Sequence, residues 1–331
     1  MIEFKTVTLC DKSWVDEIVM SENSPSADYN FGNVYIWDKH YRQLICRFEG
    51  RMLTKLRYEG RPAFVFPIGS GPLRPAVEAL RAFAADRGYP LCVRGVTEKH
   101  RAMLEAEYPG RFRYEEDARC ADYIYRAEKL ASYSGKALHS KKNHCNRFEA
   151  ENDWRFVPLT RERIPGCLDM LDIWTEDNFL RLDESVAYEH DAIIRAFAAF
   201  ERLGLEGGVL YSGERIVGFT LGEMASPDCF DVHFEKADIG LNGAYPMVCR
   251  ELTRMLMRNH PALIYINRED DMGFESLRRS KLSYKPEYLL KKYMARSEEH
   301  TSELQTPPDR GCRRLRGKKK GGGGGGGGGG G

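Results

Sequence analysis

Apolar and polar positions along this chain follow two periods, and the switch between them occurs twice in the same order. The run EGRMLTKLRYEGRPAFVFPI alternates in short stretches broken by Gly turns, which predicts two or three β-strands. A Gly/Pro loop (Gly69, Gly71, Pro72) follows. Val77, Leu80, Phe83 and Ala84 then recur at helical spacing and predict a helix over 76–87. A strand over 91–93, a helix over 97–107 with Thr97 as N-cap, and a strand over 111–114 complete the first series. In the second series GGVLYSGERIVGFTLGEM predicts a hairpin turning at Ser212 and Gly213, and 229–236 a strand. A loop over 237–245, a helix over 245–258, a strand over 263–266, a helix over 273–281 and a strand over 288–293 follow. Gly71 and Gly243 lie 172 residues apart, as do Leu91 and Leu263, which suggests a duplicated unit. Helices are also expected over 137–151, 164–178 and 185–203.

This pattern predicts an α/β (α+β) protein. The expected division is a first domain over 1–126, a basic linker helix over 127–152, and a second domain over 153–295. Residues 296–331 end in a run of eleven Gly and read as a disordered or artefactual tail, because such a run has no side chains for a core. Without the 8 Lys/Arg and 4 Asp/Glu of that tail, the 50 basic and 49 acidic residues fall to 42 and 45. The small positive charge of the whole chain becomes a small negative one, so no general attraction to nucleic acid or anionic lipid follows. The longest stretch without Asp, Glu, Lys or Arg, residues 62–73, is 12 residues long, well short of the roughly 20 apolar residues of a membrane span. No leader pattern opens the chain, which points to a cytoplasmic protein without stable membrane insertion. Eight cysteines precede the tail, none in a CxxC pair, so reduced and mostly core thiols are expected and no metal site.

The segments KALHSKKNHCNRF, DVHFEKAD, GAYPMVCRE, YINREDDMGFESLRRSKLSYKP and LLKKY resemble the phosphatidylglycerol lysyltransferase C-terminal domain family, which includes many stand-alone bacterial proteins. The resemblance covers most of residues 1–295. It implies two tandem GNAT-like domains, each a mixed, mostly antiparallel sheet flanked by helices. It also implies acyl or aminoacyl transfer from an activated donor, aminoacyl-tRNA or acyl-CoA, to an amine or hydroxyl, with no tightly bound cofactor.

Alternation along 229–236 places Asp231, His233 and Glu235 on one strand face and Phe230, Val232 and Phe234 on the other. Clustered ionisable groups of these types suit general-base work, with Tyr284 as a candidate acid. A solvated strand face is the plainer alternative. The loop Ile239, Gly240, Asn242, Gly243, Ala244 leads into a helix whose free N–H groups favour a phosphate. The resemblance implies the donor's pyrophosphate there, although the basic residue usual in GNAT loops is missing. Asn267, Arg268, Glu269 and Asp270 sit at a strand's carboxyl end, where acids can hold an ammonium, while Asp271 can cap the next helix. Between the two series, residues 126–147 hold six Lys/Arg against one Glu. Lys136, His139, Lys141, Lys142 and Arg147 are the candidates for contact with tRNA phosphates, against a solvated interdomain helix. The second half is expected to be the active one. The reading from another class is a GNAT-like binding or sensor protein without turnover, separable by changing His233 and Glu235. Peripheral lipid modification is a third reading that no strongly amphipathic basic helix recommends.

Overall fold

Strand pairing sorts the chain into two sheets of the same layout. The computed structural model describes residues 2–178 and 184–297. Its strands are β1 (Lys5–Thr6), β2 (Leu44–Phe48), β3 (Arg51–Tyr58), β4 (Arg61–Gly69), β5 (Cys92–Val96), β6 (Phe112–Glu116) and β7 (Asp122–Arg126). They continue with β8 (Trp154–Pro158), β9 (Glu206–Ser212), β10 (Arg215–Ser226), β11 (Cys229–Ala237), β12 (Tyr265–Asn267), β13 (Tyr288–Leu290) and β14 (Tyr293–Ser297). The first sheet runs β1-β2-β3-β4-β5-β14-β6 and the second β8-β9-β10-β11-β12-β7-β13. Each is antiparallel except for one parallel pair, β4 with β5 and β11 with β12.

A parallel pair needs a crossover, and a helix supplies it in both sheets. The helix Leu73–Ala85 buries Ala76, Val77, Leu80 and Ala84, and Ala244–Asn259 buries Met247, Val248, Leu252 and Leu256. Both have Pro as their third residue (Pro75, Pro246), where a helix lacks a partner for the N–H anyway. Thr97 caps the helix Glu98–Glu107 as expected, its hydroxyl accepting from the His100 amide at 3.4 Å.

The two halves exchange a strand. β7 ends the first half in sequence but pairs with β12 and β13 in the second sheet, and β14 pairs with β5 and β6 in the first. The single strand expected over 288–293 is therefore two strands in different sheets. The break falls at Lys292, which turns inward to Asp28 and Asp122. Arg296 and Ser297, read from sequence as the start of the tail, are the last rungs of β14, opposite Arg113 and Phe112. Residues 298–331 lie outside the described residues.

One buried cluster joins the halves, with Phe64, Phe66 and Val93 of the first sheet in the same core as Phe219, Leu221 and Phe234 of the second. A second core, with Tyr125, Phe230, Val232, Met247 and Leu256, lies between the opposite face of the second sheet and its crossover helix. No helix among the described residues is long and apolar enough to cross a membrane.

Candidate active site

A β-bulge decides which side chains of β11 meet. Leu221 on β10 faces Phe234, but Gly222 faces Val232, so His233 is an extra residue with no partner across the ladder. Gly222 permits this close approach, since a Cβ there would lie 1.8 Å from the Asp231 carbonyl oxygen. The bulge resets the alternation. Phe234 joins the core shared by the two halves, while Phe230 and Val232 face the other one. Asp231 and His233 stay together, and Glu235 falls on the opposite face, correcting the expectation of three ionisable groups side by side.

Asp231 and His233 form a fully buried network. His233 Nε2 lies 3.0 Å from Glu223 Oε1, and Nδ1 lies 3.0 Å from Glu269 Oε1 and 3.6 Å from Asp231 Oδ2. Asn30 Nδ2 donates to Asp231 Oδ2 at 2.8 Å. Burial disfavours a charged His233, but the hydrogen bonds to Glu223 and Glu269 outweigh it and hold the imidazolium well above the ordinary histidine range. Burial, reinforced by the Glu269 charge, pushes Asp231 well up. Asp231, His233 and Glu269 each bring one metal-ligand type of atom within 4.8 Å of the others. Once the imidazole is protonated, as the carboxylates on either side favour, both ring nitrogens donate and neither has a lone pair for a metal. His233 does not line the open cavity between the two halves and reaches it only through its hydrogen bond to Glu269.

Gly32 borders this network, and a Cβ on it would lie 2.4 Å from Glu223 Oε1. Gly32→Ala is expected to displace Glu223, costing about 1–2 kcal/mol in stability. Chemical denaturation reads that cost, and a histidine NMR titration should show the His233 pKa moving down.

Glu235 pairs with Arg268 at 2.7 Å. Burial raises the Glu235 pKa against the pull of Arg268. Tyr284 is 3% exposed, with Lys141 Nζ 3.8 Å and the Arg268 guanidinium 4.5 Å from its ring centroid. Burial pushes its phenol well above the ordinary range. Glu235, Arg268, Tyr284 and Lys141 thus form a separate group, apart from Asp231 and His233.

The loop before the helix Ala244–Asn259 is spent on its own contacts. Asp238 Oδ1 accepts from the Gly240 amide at 2.8 Å, and its other oxygen pairs with Arg215 at 2.9 Å. Asn242 Oδ1 lies 2.7 Å from His144 Nδ1. Gly243 has φ 94° and a Cβ there would meet the His144 carbonyl at 2.3 Å, so helix His139–Glu151 packs against the loop. The Ala244 amide donates to the Leu241 carbonyl, and Ile239 is 51% exposed.

The segment after β12 divides its residues between structure and an open cavity. Asn267 Nδ2 donates to the Pro25 carbonyl and to Asp122, and its Oδ1 accepts from the Glu269 amide at 2.7 Å. Asp271 accepts from the Gly273 amide, Arg278 and the Tyr123 hydroxyl. The next helix, Glu275–Ser283, starts beyond it with Phe274 at its N-cap, so Asp271 holds the turn before the helix instead of capping it. Glu269 and Asp270 line a cavity of about 370 Å³ between the two halves. The first half supplies much of its wall, with Asp28, Asn33, Trp37, Tyr41, Tyr58 and Arg94, although the sequence had pointed to the second half. Burial pushes Asp270 up to about 7 against the pull of the Lys292 and Lys281 charges, and among the described residues no cation forms an ion pair with its carboxylate.

Lys136, His139, Lys142 and Arg147 are exposed on or just before helix His139–Glu151, and Arg147 pairs with Glu151 at 2.8 Å. Lys141 is turned inward to Tyr284. Sequence reasoning missed Asn30, Glu223, Arg94 and Lys292. Glu223 carries a usable signal, as a lone carboxylate in the otherwise uncharged run from Ile216 to Ser226. Asn30 carries none.

Two like sheets, a parallel strand pair bridged by a helix in each, and a charged cavity where they meet define a tandem GNAT-like protein. Residues 22–296 match the family model for the phosphatidylglycerol lysyltransferase C-terminal region, and the chain belongs to that family. A conserved protein of unknown function from Bacteroides thetaiotaomicron is 37% identical with a TM-score of 0.86, covering 90% of this chain and 100% of that one. The C-terminal domain of a putative lysylphosphatidylglycerol synthetase from Agrobacterium fabrum shares the fold at 13% identity and a TM-score of 0.59, covering 87% of this chain and 92% of that one. An uncharacterized protein of Mycoplasmoides gallisepticum is 30% identical over 180 residues, or 53% of this chain. The match spans 56% of that relative's length.

Proposed function

We propose that this chain is an aminoacyl- or acyltransferase of the GNAT type, and that an amine-bearing reactant lies in the cavity with its nitrogen against Asp270 and Glu269. The carrying observation is Asp270, a cavity carboxylate that among the described residues forms no ion pair and that burial pushes up to about 7. A base poised near the working pH is the efficient kind. For the aminoacyl ester of a tRNA, the amine nitrogen attacks the carbonyl carbon, a C–N bond forms, and the C–O bond to the donor breaks. The proton lost by nitrogen passes to Asp270 and then to the leaving oxygen. Holding both reactants in one cavity supplies much of the acceleration.

Membership of a lysyltransferase family supports an aminoacyl donor, and so does the loop at 239–244. An anionic Asp238 already occupies the Gly240 amide there, which disfavours the pyrophosphate of an acyl-CoA. Aminoacyl-tRNA is therefore the donor we favour, in the cytoplasm, with the exposed Lys136, His139, Lys142 and Arg147 against its backbone. Lys136→Glu and Lys142→Glu are each expected to flatten the salt dependence of tRNA binding, by about 0.7–0.9 in the slope of log K against log salt. Filter binding over a salt series measures it, and an unchanged slope removes that residue from the interface.

The test of the activity is incubation of the full chain with tRNA carrying radiolabelled amino acids and a panel of amine and hydroxyl acceptors. Label moving from tRNA to an amine supports the proposal. Tight tRNA binding with the ester left intact for every acceptor would favour the sensor reading instead.

A further inference from the structure

We propose that the amine-bearing reactant is a zwitterion of amino-acid size, its ammonium held by Asp270 and its carboxylate by Arg94. The inference rests on the cavity reading above and adds a second recognised charge. Most charged groups around the cavity already stand in ion pairs, and Asp28 also attracts Arg94 from beyond ion-pair distance. Lys292 pairs with Asp28 at 2.8 Å and Asp122 at 2.7 Å. Arg119 pairs with Asp117 and Glu59, each at 2.9 Å. Glu269 is bonded to His233. Two groups remain, and they stand on walls from different halves: Arg94 on β5 and Asp270 after β12. Among the described residues neither forms an ion pair, with each other or with any other group.

Arg94 is built to receive an anion. Its guanidinium stacks on the Tyr58 ring, 3.3 Å from the centroid, which fixes the plane of the fork. Nη2 donates only to Cys120 Sγ at 3.2 Å, and thiol sulfur is a weak acceptor. A planar fork of donors matches a carboxylate in two places at once. Burial raises Tyr41 to about 12 and Cys120 to about 11, and both also feel the charges of Asp270 and Arg94, which places the two unpaired groups around one space. Among the described residues neither charge has a counter-ion at ion-pair distance, Arg94 bonding only Cys120 and the Asp270 carboxylate only the Met272 amide, and one ligand carrying both charges supplies both. A volume of about 370 Å³ is near the lower end for small-molecule sites, about 300–1,000 Å³, which suits a single amino acid. Trp37, His40 and Tyr41 offer the aromatic wall for its side chain. The bound ammonium first releases one proton to solvent, and the transfer above then forms an amide on the nitrogen of the amino acid, its second proton passing by Asp270 to the leaving oxygen.

Isothermal titration calorimetry on the full chain tests this with three matched pairs: L-lysine and cadaverine, L-alanine and ethylamine, L-phenylalanine and phenethylamine. The second member of each pair lacks only the carboxylate. At least one amino acid is expected to bind about tenfold or more tighter than its own amine, the scale of one charge-assisted contact. Arg94→Gln should bring that pair to within about twofold, and Asp270→Asn should weaken both members. Equal binding of amino acid and amine by the unaltered protein overturns the role of Arg94 and leaves the ammonium site standing. Binding of no member of any pair overturns both readings. The comparison within each pair uses the native chain, so it stands even if the Arg94 variant folds poorly.

Discussion

Asp270→Asn is expected to lower kcat/KM for aminoacyl transfer by about 10²–10³, the usual contribution of a positioned proton acceptor. The unaltered protein should lose activity as pH falls through about 7, because Asp270 is then protonated and cannot accept a proton. The variant should lose that limb of the profile. Stability should move the other way. Burial raises the folded-state pKa of Asp270 from 3.8 to about 7, so between these values the native state holds a proton that the unfolded chain has released. The native protein therefore loses stability as pH rises from about 4 to 7, and the deficit persists above. Asn at this position removes the deficit. The variant should melt a few degrees higher at pH 8 and no higher at pH 4, as thermal scans at the two values would show. A variant that melts alike at both, relative to the native protein, would mean that the carboxylate is not held protonated.

Lys292→Met is expected to cost about 3–5 kcal/mol, the range for removing one partner of a buried ion pair. Lys292 is 3% exposed and Asp122 1%. Burial disfavours the ammonium, but Asp122 and Asp28 outweigh it and hold Lys292 well above the ordinary lysine range. Removing the ammonium strands Asp122, which also accepts from the Ala27 amide and Asn267. Adding Asp122→Asn to Lys292→Met should recover part of the loss, because the stranded charge is what makes the single change severe. Urea midpoints of the two variants check this. A double variant weaker by the sum of the single changes would show that the two residues do not act together.

The periodic elements were legible because each follows from a local rule. The Thr97 cap, the helices after Gly71 and Gly243, and the hairpin at Gly213 all appear near their expected places. The face of Glu235 was not legible, because an extra residue in a ladder is a property of two strands and Gly222 reveals it only once its partner is known. The exchange of β7 and β14 was hidden for the same reason: Asp122–Arg126 carries no mark of which sheet it joins. The place of segment 267–271 at a strand's carboxyl end was readable, and a cavity does open beside it. Its division into Asn267 and Asp271 for structure and Glu269 and Asp270 for the cavity depends on distant groups. Nothing in the sequence sets Arg94 or Lys292 apart from the other basic residues, and only the tertiary structure shows Lys292 in ion pairs and Arg94 not.

The crossed placement of β7 and β14 bears on how this molecule can be cut and how it came together. A gene fragment stopping near residue 126 would produce one sheet with a gap between its last two strands and carry an orphan strand meant for the other. Neither fragment should therefore refold alone, yet the two mixed together should restore a native complex. Heating should melt both sheets in one transition, because losing either withdraws an inner strand from its neighbour.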